Sequence, residues 1–109
     1  MDAQQCIMTR RSVRQFTDQP VSREVLEQVV ALAAYAPSWK NTQISRYIAI
    51  EDPAVRETIA ADYCLPGANN PTIIRGCPLL VAQTFVRARS GYERDGTYTT
   101  DREDGWQYY

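Results

Sequence analysis

Histidine is absent from this sequence, and cysteine is scarce. The 109 residues contain no histidine and three cysteines, Cys6, Cys64 and Cys77, with no Cys-x-x-Cys pair. Without histidine, the Ser-His-Asp and Cys-His mechanisms and histidine acid–base chemistry are excluded. An odd cysteine count without paired spacing argues against a disulfide framework and a zinc site. We therefore expect reduced, mostly buried thiols in a cytoplasmic protein, no bound metal, and any catalysis to rely on other side chains or a cofactor.

Long apolar runs and a strong net charge are also lacking. No run approaches the length of a membrane span, and the N-terminus carries Asp2 and no long apolar stretch of the signal-peptide kind. Twelve basic and 13 acidic residues leave a net charge of -1, which gives no overall field that attracts nucleic acid. We therefore expect neither a membrane nor a nucleic acid as a partner.

The length and the 44% apolar content are typical of a single folded domain over residues 1–109. Residues 89–109 change character, with no clear periodicity, and are expected to be loop-like or partner-dependent. Their aromatic side chains would either line a binding pocket or pack against a segment absent from this sequence. The residues concerned are Tyr98, Trp106, Tyr108 and Tyr109.

Turn signals and apolar spacing predict three helices. The first covers residues 3–9; the second begins after the N-cap Ser22 and ends at Pro37; the third covers residues 53–62, after Asp52. Residues 65–71, which contain proline and glycine, are expected to form a loop. The apolar stripe of the second helix is expected to belong to the core. It consists of Val25, Leu26, Val29, Val30, Ala33 and Ala36.

Two strands are predicted, over residues 46–50 and 79–86. The second is a near-continuous apolar run, which is typical of a strand that is buried on both faces. A two-stranded sheet flanked by helices is an unfinished sheet. Either a partner completes it, or the sequence is a fragment.

A basic segment, Arg10-Arg11-Ser12-Val13-Arg14, follows the first predicted helix. Guanidinium groups are forked donors that match a phosphate bidentately, and serine adds a hydroxyl donor. In a helical segment Arg10 and Arg14 would share one side, with Arg11 on another. The alternative is a solvated basic helix end.

A polar loop, Ser38–Gln43, follows the second predicted helix. The amides of Asn41 and Gln43 offer donors and acceptors that suit the edge of a flavin ring, and Trp39 could cover the ring. Alternatively, the amides bond to local backbone and Trp39 fills the edge of a core. Neither a G-x-G-x-x-G nor a Walker A pattern is present, so a Rossmann or P-loop phosphate site is not supported.

The sequence resembles the nitroreductase family of FMN-dependent oxidoreductases in the basic segment, in the polar loop and in the number of residues between them. The strand over residues 46–50 also fits, and more weakly Asn70 and Cys77-Pro78 before the second strand. The resemblance implies an α+β nitroreductase-like fold, with a central, mainly antiparallel sheet flanked by helices. This chain would cover only about half of that domain. The family's Gln-Pro-Trp stands here as Gln43-Ile44-Ser45.

The resemblance also implies a homodimer with FMN at the subunit interface. Residues of one subunit would contact the phosphate and ribityl chain, and residues of the partner subunit would approach the same flavin. The first set is Arg10, Arg11, Ser12 and Arg14; the second is Pro37, Ser38, Trp39 and Asn41, with Gln43 nearby. Asn70 would read the pyrimidine edge, and no catalytic acid or base is assigned.

The function implied is an oxidoreductase with a ping-pong mechanism. NADH or NADPH would supply reducing equivalents to an organic acceptor, which would be a nitroaromatic, a quinone, an enone or a flavin. The alternatives are a non-catalytic flavin- or nucleotide-binding module and a protein-interaction module.

Overall fold

The computed structural model describes residues 1–99, which fall into two compact units. One unit comprises Met1–Gln19 and Asp52–Pro78, and the other comprises Pro20–Glu51 and residues 79–99. Helices and a small antiparallel sheet agree with the predicted α+β class. The predicted single domain stays a prediction. The interpretation of Trp106, Tyr108 and Tyr109 falls outside the described residues.

The first unit contains three helices: α1 (Ala3–Thr9), α3 (Pro53–Asp62) and α4 (Asn70–Gly76). Asp2 caps α1 by accepting from the Gln5 N–H at 2.8 Å, and the Gln5 side chain accepts from the Asp2 N–H at 3.2 Å. This reciprocal pair satisfies two amide groups that a helix start leaves free. At α3 the Asp52 carboxylate accepts from the Ala54 N–H at 2.8 Å. Both helices have the predicted bounds.

Helix α4 lies partly where a loop was expected. It begins at Asn70, inside the predicted loop over residues 65–71, with Pro71 in its first turn. A proline there loses no helical hydrogen bond, because the first amides of a helix have no intrahelical acceptor. The proline that was interpreted as a loop residue is therefore part of a helix start.

Helices α3 and α4 pack together. The buried residues of the first unit are Ala60 in α3 and Cys77, which directly follows α4. Arg75 donates to both carboxylate oxygens of Glu57, at 2.8 and 3.0 Å. Chiefly through this hydrogen bond, the pKa of Glu57 is held below its ordinary value. The expectation of mostly buried thiols is only partly right: Cys77 is buried and Cys64 half-buried, but Cys6 is exposed.

The second unit contains α2 (Arg23–Ala33) and the antiparallel strands β1 (Ser45–Ile50) and β2 (Leu80–Phe85). Ser22 caps α2 as predicted, accepting from the Val25 N–H at 3.3 Å. The helix ends at Ala33, before the predicted end at Pro37, and the chain then continues in tighter turns over residues 34–36. The strands pair from Ser45↔Phe85 to Ile50↔Leu80.

Burial in the second unit differs from the sequence-based expectation. In β2, exposed and half-buried residues largely alternate, so the strand is not buried on both faces. The α2 stripe is not a core: Val25 and Val29 are 50% and 57% exposed, and Leu26 and Val30 are only half-buried. Helical periodicity identifies the apolar face of a helix but does not supply a partner for it. No helix among residues 1–99 is long and apolar enough to cross a membrane.

Candidate functional site

The basic segment of residues 10–14 is irregular. Helix α1 ends at Thr9, and Arg10 leaves the helical region with φ -55° and ψ 136°. No helix or strand is formed from Arg10 through Phe16. The helical arrangement considered for Arg10 and Arg14 is therefore not formed, and the side chains of the segment extend from an exposed backbone.

Arg11 differs from its two neighbouring arginines in its bonding. Its Nη1 donates to the carbonyls of Met8 and Arg10, at 3.1 and 2.9 Å, at the end of α1. This is the favourable place for a cation, because helix carbonyls are unsatisfied there. Arg14 makes a longer contact, from Nη1 to the Ser12 carbonyl at 3.3 Å.

The guanidinium groups of the segment retain donors for an anion. Within residues 1–99, none of Arg10, Arg11 and Arg14 forms an ion pair with a carboxylate. Each guanidinium carries five N–H donors, and the hydrogen bonds within residues 1–99 use only those on Nη1 of Arg11 and Nη1 of Arg14. Chemically, the segment can offer several charge-assisted hydrogen bonds to a phosphate.

The polar loop of residues 38–43 has an unusual backbone. It contains a short 3₁₀ turn, Trp39–Asn41, and three non-glycine residues with positive φ: Lys40 at 47°, Asn41 at 53° and Gln43 at 49°. Side chains with a Cβ rarely adopt this left-handed region, and each instance costs of order 1–3 kcal/mol. Such a backbone persists only where the surrounding structure holds it.

Short hydrogen bonds within the polar loop provide part of that support. The Ser38 hydroxyl oxygen accepts from the Gln43 N–H at 3.0 Å, and the Thr42 hydroxyl donates to the Trp39 carbonyl at 2.8 Å. Gln43 Nε2 donates to Asn41 Oδ1 at 3.2 Å. This last bond leaves Gln43 Oε1 as an acceptor and Asn41 Nδ2 as a donor. Adjacent amide donors and acceptors are what the edge of a heterocyclic ring requires.

Ile44 anchors the polar loop to the sheet. Its side chain is 1% exposed, and its carbonyl accepts from the Val86 N–H at 3.0 Å. Arg46 Nη1 donates to the carbonyls of Gln43 and Ser45, both at 2.8 Å. Sequence reasoning missed these contacts, although a single apolar residue between polar ones is a signal for such an anchor.

Lys40 joins the polar loop to a distant part of the same unit. Its Nζ lies 2.8 Å from Glu93 Oε1 and 4.8 Å from the centre of the Trp39 ring. Glu93 belongs to a turn in which the Asp95 carboxylate accepts from the Thr97 N–H at 2.9 Å. Chiefly through that backbone hydrogen bond, the pKa of Asp95 is lowered. Lys40 is therefore an ion-paired residue on the surface, with a side chain that is 58% exposed.

An open groove of about 1080 Å³ lies in the second unit. Helix α2 contributes Leu26 and Val30, the strands contribute Tyr47 and Val81, and the connection after α2 contributes residues 36–38. Pro37, Ser38 and Gln43 are all among the lining residues, whereas Trp39 and Asn41 are not. The groove therefore brings together three of the five candidate residues in this region.

Asn70 is the first residue of α4 and is exposed, in the same unit as the basic segment. No hydrogen bond among the described residues joins its side chain to that segment. Within residues 1–99, no group of three or more Cys, Asp or Glu side chains could hold a metal ion.

Comparison with known proteins identifies relatives of this chain. The family model of the nitroreductase family matches residues 7–70. The nitrobenzene nitroreductase of Ectopseudomonas oleovorans is 45% identical over 56 residues, which is 50% of this chain and 25% of that protein. The NADH dehydrogenase of Thermus thermophilus is 32% identical over 59 residues, 54% of this chain and 29% of that protein.

The fold is also found among solved structures. A nitroreductase family protein from Clostridium novyi NT superposes with a TM-score of 0.69 at 22% identity, covering 89% of this chain and 51% of that structure. The predicted nitroreductase-like α+β fold is thereby confirmed. This chain spans about half of that solved structure, and the sequence matches cover less than a third of the two relatives named above.

Proposed function

This chain belongs to the nitroreductase family, and from that premise we propose that it forms part of an FMN-dependent oxidoreductase. The enzyme would pass reducing equivalents from NADH or NADPH to an organic acceptor. The observation that carries the proposal is the polar loop, in which three non-glycine residues hold a left-handed backbone and two side-chain amides keep a free acceptor and a free donor. Strained backbone of this kind is concentrated at binding sites.

The basic segment supports a phosphate-binding role. Three exposed guanidinium groups without carboxylate partners in the described chain suit the dianionic phosphate of FMN. Arg10 and Arg14 would contribute most, because Arg11 already bonds to two carbonyls at the end of α1. Ser12 would add a hydroxyl donor.

The polar loop supports a role at the flavin ring. Gln43 Oε1 and Asn41 Nδ2 would read the ring edge, and Pro37, Ser38 and Trp39 would approach it. Asn70 would contact the pyrimidine edge. In the homodimer that we propose, the basic segment of one subunit and the polar loop of its partner bind the same FMN.

Bound FMN would supply the two-electron redox chemistry that links oxidation of NADH or NADPH to reduction of the acceptor. The residues of this chain would bind the cofactor, orient its ring and exclude water from one side. We propose a ping-pong order, with the nicotinamide leaving before a nitroaromatic, quinone, enone or flavin acceptor binds. We also propose a cytoplasmic location, which the free thiols Cys6, Cys64 and Cys77 support.

The direct experiment is a titration of the purified 109-residue chain with FMN, followed by flavin fluorescence and by the visible spectrum. We expect saturable binding, bleaching by NADH or NADPH without oxygen, and recovery on adding a quinone. Binding without bleaching would indicate a non-catalytic flavin-binding module, and no binding would contradict the proposal for this chain. Light scattering should give twice the 12.4 kDa of one chain when FMN is bound.

Two variants test the phosphate contacts. Arg10→Ala and Arg14→Ala each remove a charge-assisted hydrogen bond, so we expect the FMN dissociation constant to rise about tenfold or more. Arg87→Ala removes an exposed arginine outside the site and serves as the control. Unchanged FMN affinity in both test variants would refute the phosphate contacts.

A further inference from the structure

Lys40 is the only lysine in the sequence, and it lies at the centre of the polar loop. Its backbone is left-handed, with φ 47°. Its Nζ lies 2.8 Å from Oε1 of Glu93, a residue 53 positions further along the chain. The same Nζ lies 4.8 Å from the centre of the Trp39 ring, within the range of a cation–π contact. One ammonium group thus contacts the loop's own aromatic residue and a distant carboxylate.

Glu93 is held in place by its own backbone. Its N–H donates to the Thr97 carbonyl at 2.8 Å, and its carbonyl accepts from the Gly96 N–H at 3.0 Å. On either side, Tyr92 and Tyr98 form a β-bridge, with ring centroids 4.8 Å apart. The carboxylate therefore extends from a structured turn and not from a free chain end.

The polar loop needs such support because its strain is large relative to one hydrogen bond. Each of the three left-handed non-glycine residues costs at least as much free energy as one neutral hydrogen bond contributes, so one local bond does not offset all three. Local bonds from Ser38 and Thr42 act within the loop. The ion pair with Glu93 is the long-range contact that ties the centre of the loop to the turn of residues 93–97.

We propose that Glu93 is a positioning residue: through Lys40 and Trp39 it holds the polar loop in the conformation that presents Asn41 and Gln43. The role of that conformation in binding rests on the function proposed above, but the restraint itself does not. Because the Lys40 and Glu93 side chains are 58% and 41% exposed, the restraint is sensitive to salt. The loop can therefore open when the pair is screened or its charge is removed.

The single lysine makes this testable by proteolysis. Endoproteinase Lys-C cuts this chain only after Lys40, so the cleavage rate reports how often the polar loop opens. With Glu93→Gln we expect the rate to rise about two- to fivefold, as for the loss of one exposed ion pair. Glu24→Gln, which removes the same charge from an exposed position on α2, should cleave at the rate of the unaltered chain.

Salt dependence separates an ion pair from a merely structural role of residue 93. Raising the salt from about 0.05 to 0.5 M should speed cleavage of the unaltered chain toward the rate of Glu93→Gln, with little effect on the variant. A Lys-C peptide substrate, measured in parallel, corrects for the salt response of the protease. This comparison on the unaltered chain does not depend on any variant folding.

Equal cleavage rates for the unaltered chain and Glu93→Gln, or a parallel salt response of the two, would overturn the proposal. The FMN titration keeps the two proposals distinct. Faster cleavage together with weaker FMN binding in Glu93→Gln supports both. Faster cleavage with unchanged FMN affinity supports the restraint and refutes the assignment of the polar loop to FMN.

Discussion

Ile44 offers the sharpest test of how the candidate site is held. It is one of two fully buried side chains among residues 1–99, at 1% exposure, and it directly joins the polar loop to β1. Ile48, four residues on in β1, is 53% exposed. The chain thus offers the same substitution, isoleucine to alanine, at a buried and at an exposed position of one segment.

The magnitudes follow from burial. Ile44→Ala removes three carbon groups, worth about 0.8 kcal/mol each when fully buried, and leaves a cavity. Most side chains of this unit are exposed or half-buried and can relax. We therefore expect the free energy of unfolding to fall by about 2–3 kcal/mol, in the lower part of the usual range for such changes. Ile48→Ala removes the same groups from a half-exposed site and should cost about 1 kcal/mol.

The measurement is urea unfolding of both variants, followed by circular dichroism, together with the Lys-C cleavage rate at Lys40. Ile44→Ala should lower the midpoint more than Ile48→Ala does and should speed cleavage in the polar loop, because the loop loses its anchor. Equal destabilisation by the two substitutions would show that Ile44 is not the anchor and would refute this account.

Three further outcomes are expected. Asn41→Gly should leave stability unchanged or raise it, since φ 53° suits glycine, whereas Asn41→Val should lower it by about 1 kcal/mol or more; urea midpoints compare the two. Because Arg75 lowers the pKa of Glu57, the pair stabilises the fold above the ordinary pKa of glutamate, and this stabilisation is lost as the pH falls through the lowered pKa. The Glu57→Gln variant should therefore lose less stability than the unaltered chain between pH 5 and about pH 3. Ser90 is 1% exposed, and its hydroxyl has no hydrogen-bond partner in the described chain, so Ser90→Ala should raise the melting temperature.

Local signals in the sequence predicted the helix starts well. Ser22 and Asp52 are caps whose hydrogen bonds reach only two or three residues along the chain, so the sequence contains both partners. The beginning of α2 and the bounds of α3 could therefore be predicted correctly from the sequence. The same reasoning overlooked α4, because Pro71 is compatible with both a loop and a first helical turn.

Burial could not be predicted in the same way. The apolar stripe of α2 is visible in the sequence, yet Val25, Val29 and Leu32 are 50%, 57% and 73% exposed. Burial depends on what lies opposite, and this chain spans only about half of the solved structure that it resembles. The left-handed backbone at Lys40, Asn41 and Gln43 was equally hidden, because no glycine marks it.

The two parts of the candidate site differ in preorganisation, and this difference bears on how a cofactor would bind. The polar loop is fixed by the Ser38–Gln43 bond, the buried Ile44 and the Lys40–Glu93 pair, so its amides are positioned before any ligand arrives. The basic segment is irregular and exposed, and apart from the bonds of Arg11 to the end of α1 and the longer contact of Arg14, its arginines would be ordered by contact with a phosphate. Ordering a long side chain costs about 0.5–1.5 kcal/mol, which offsets part of each charge-assisted bond. The arginines would therefore supply attraction and long-range steering, while the polar loop would supply the geometric selection of the ring.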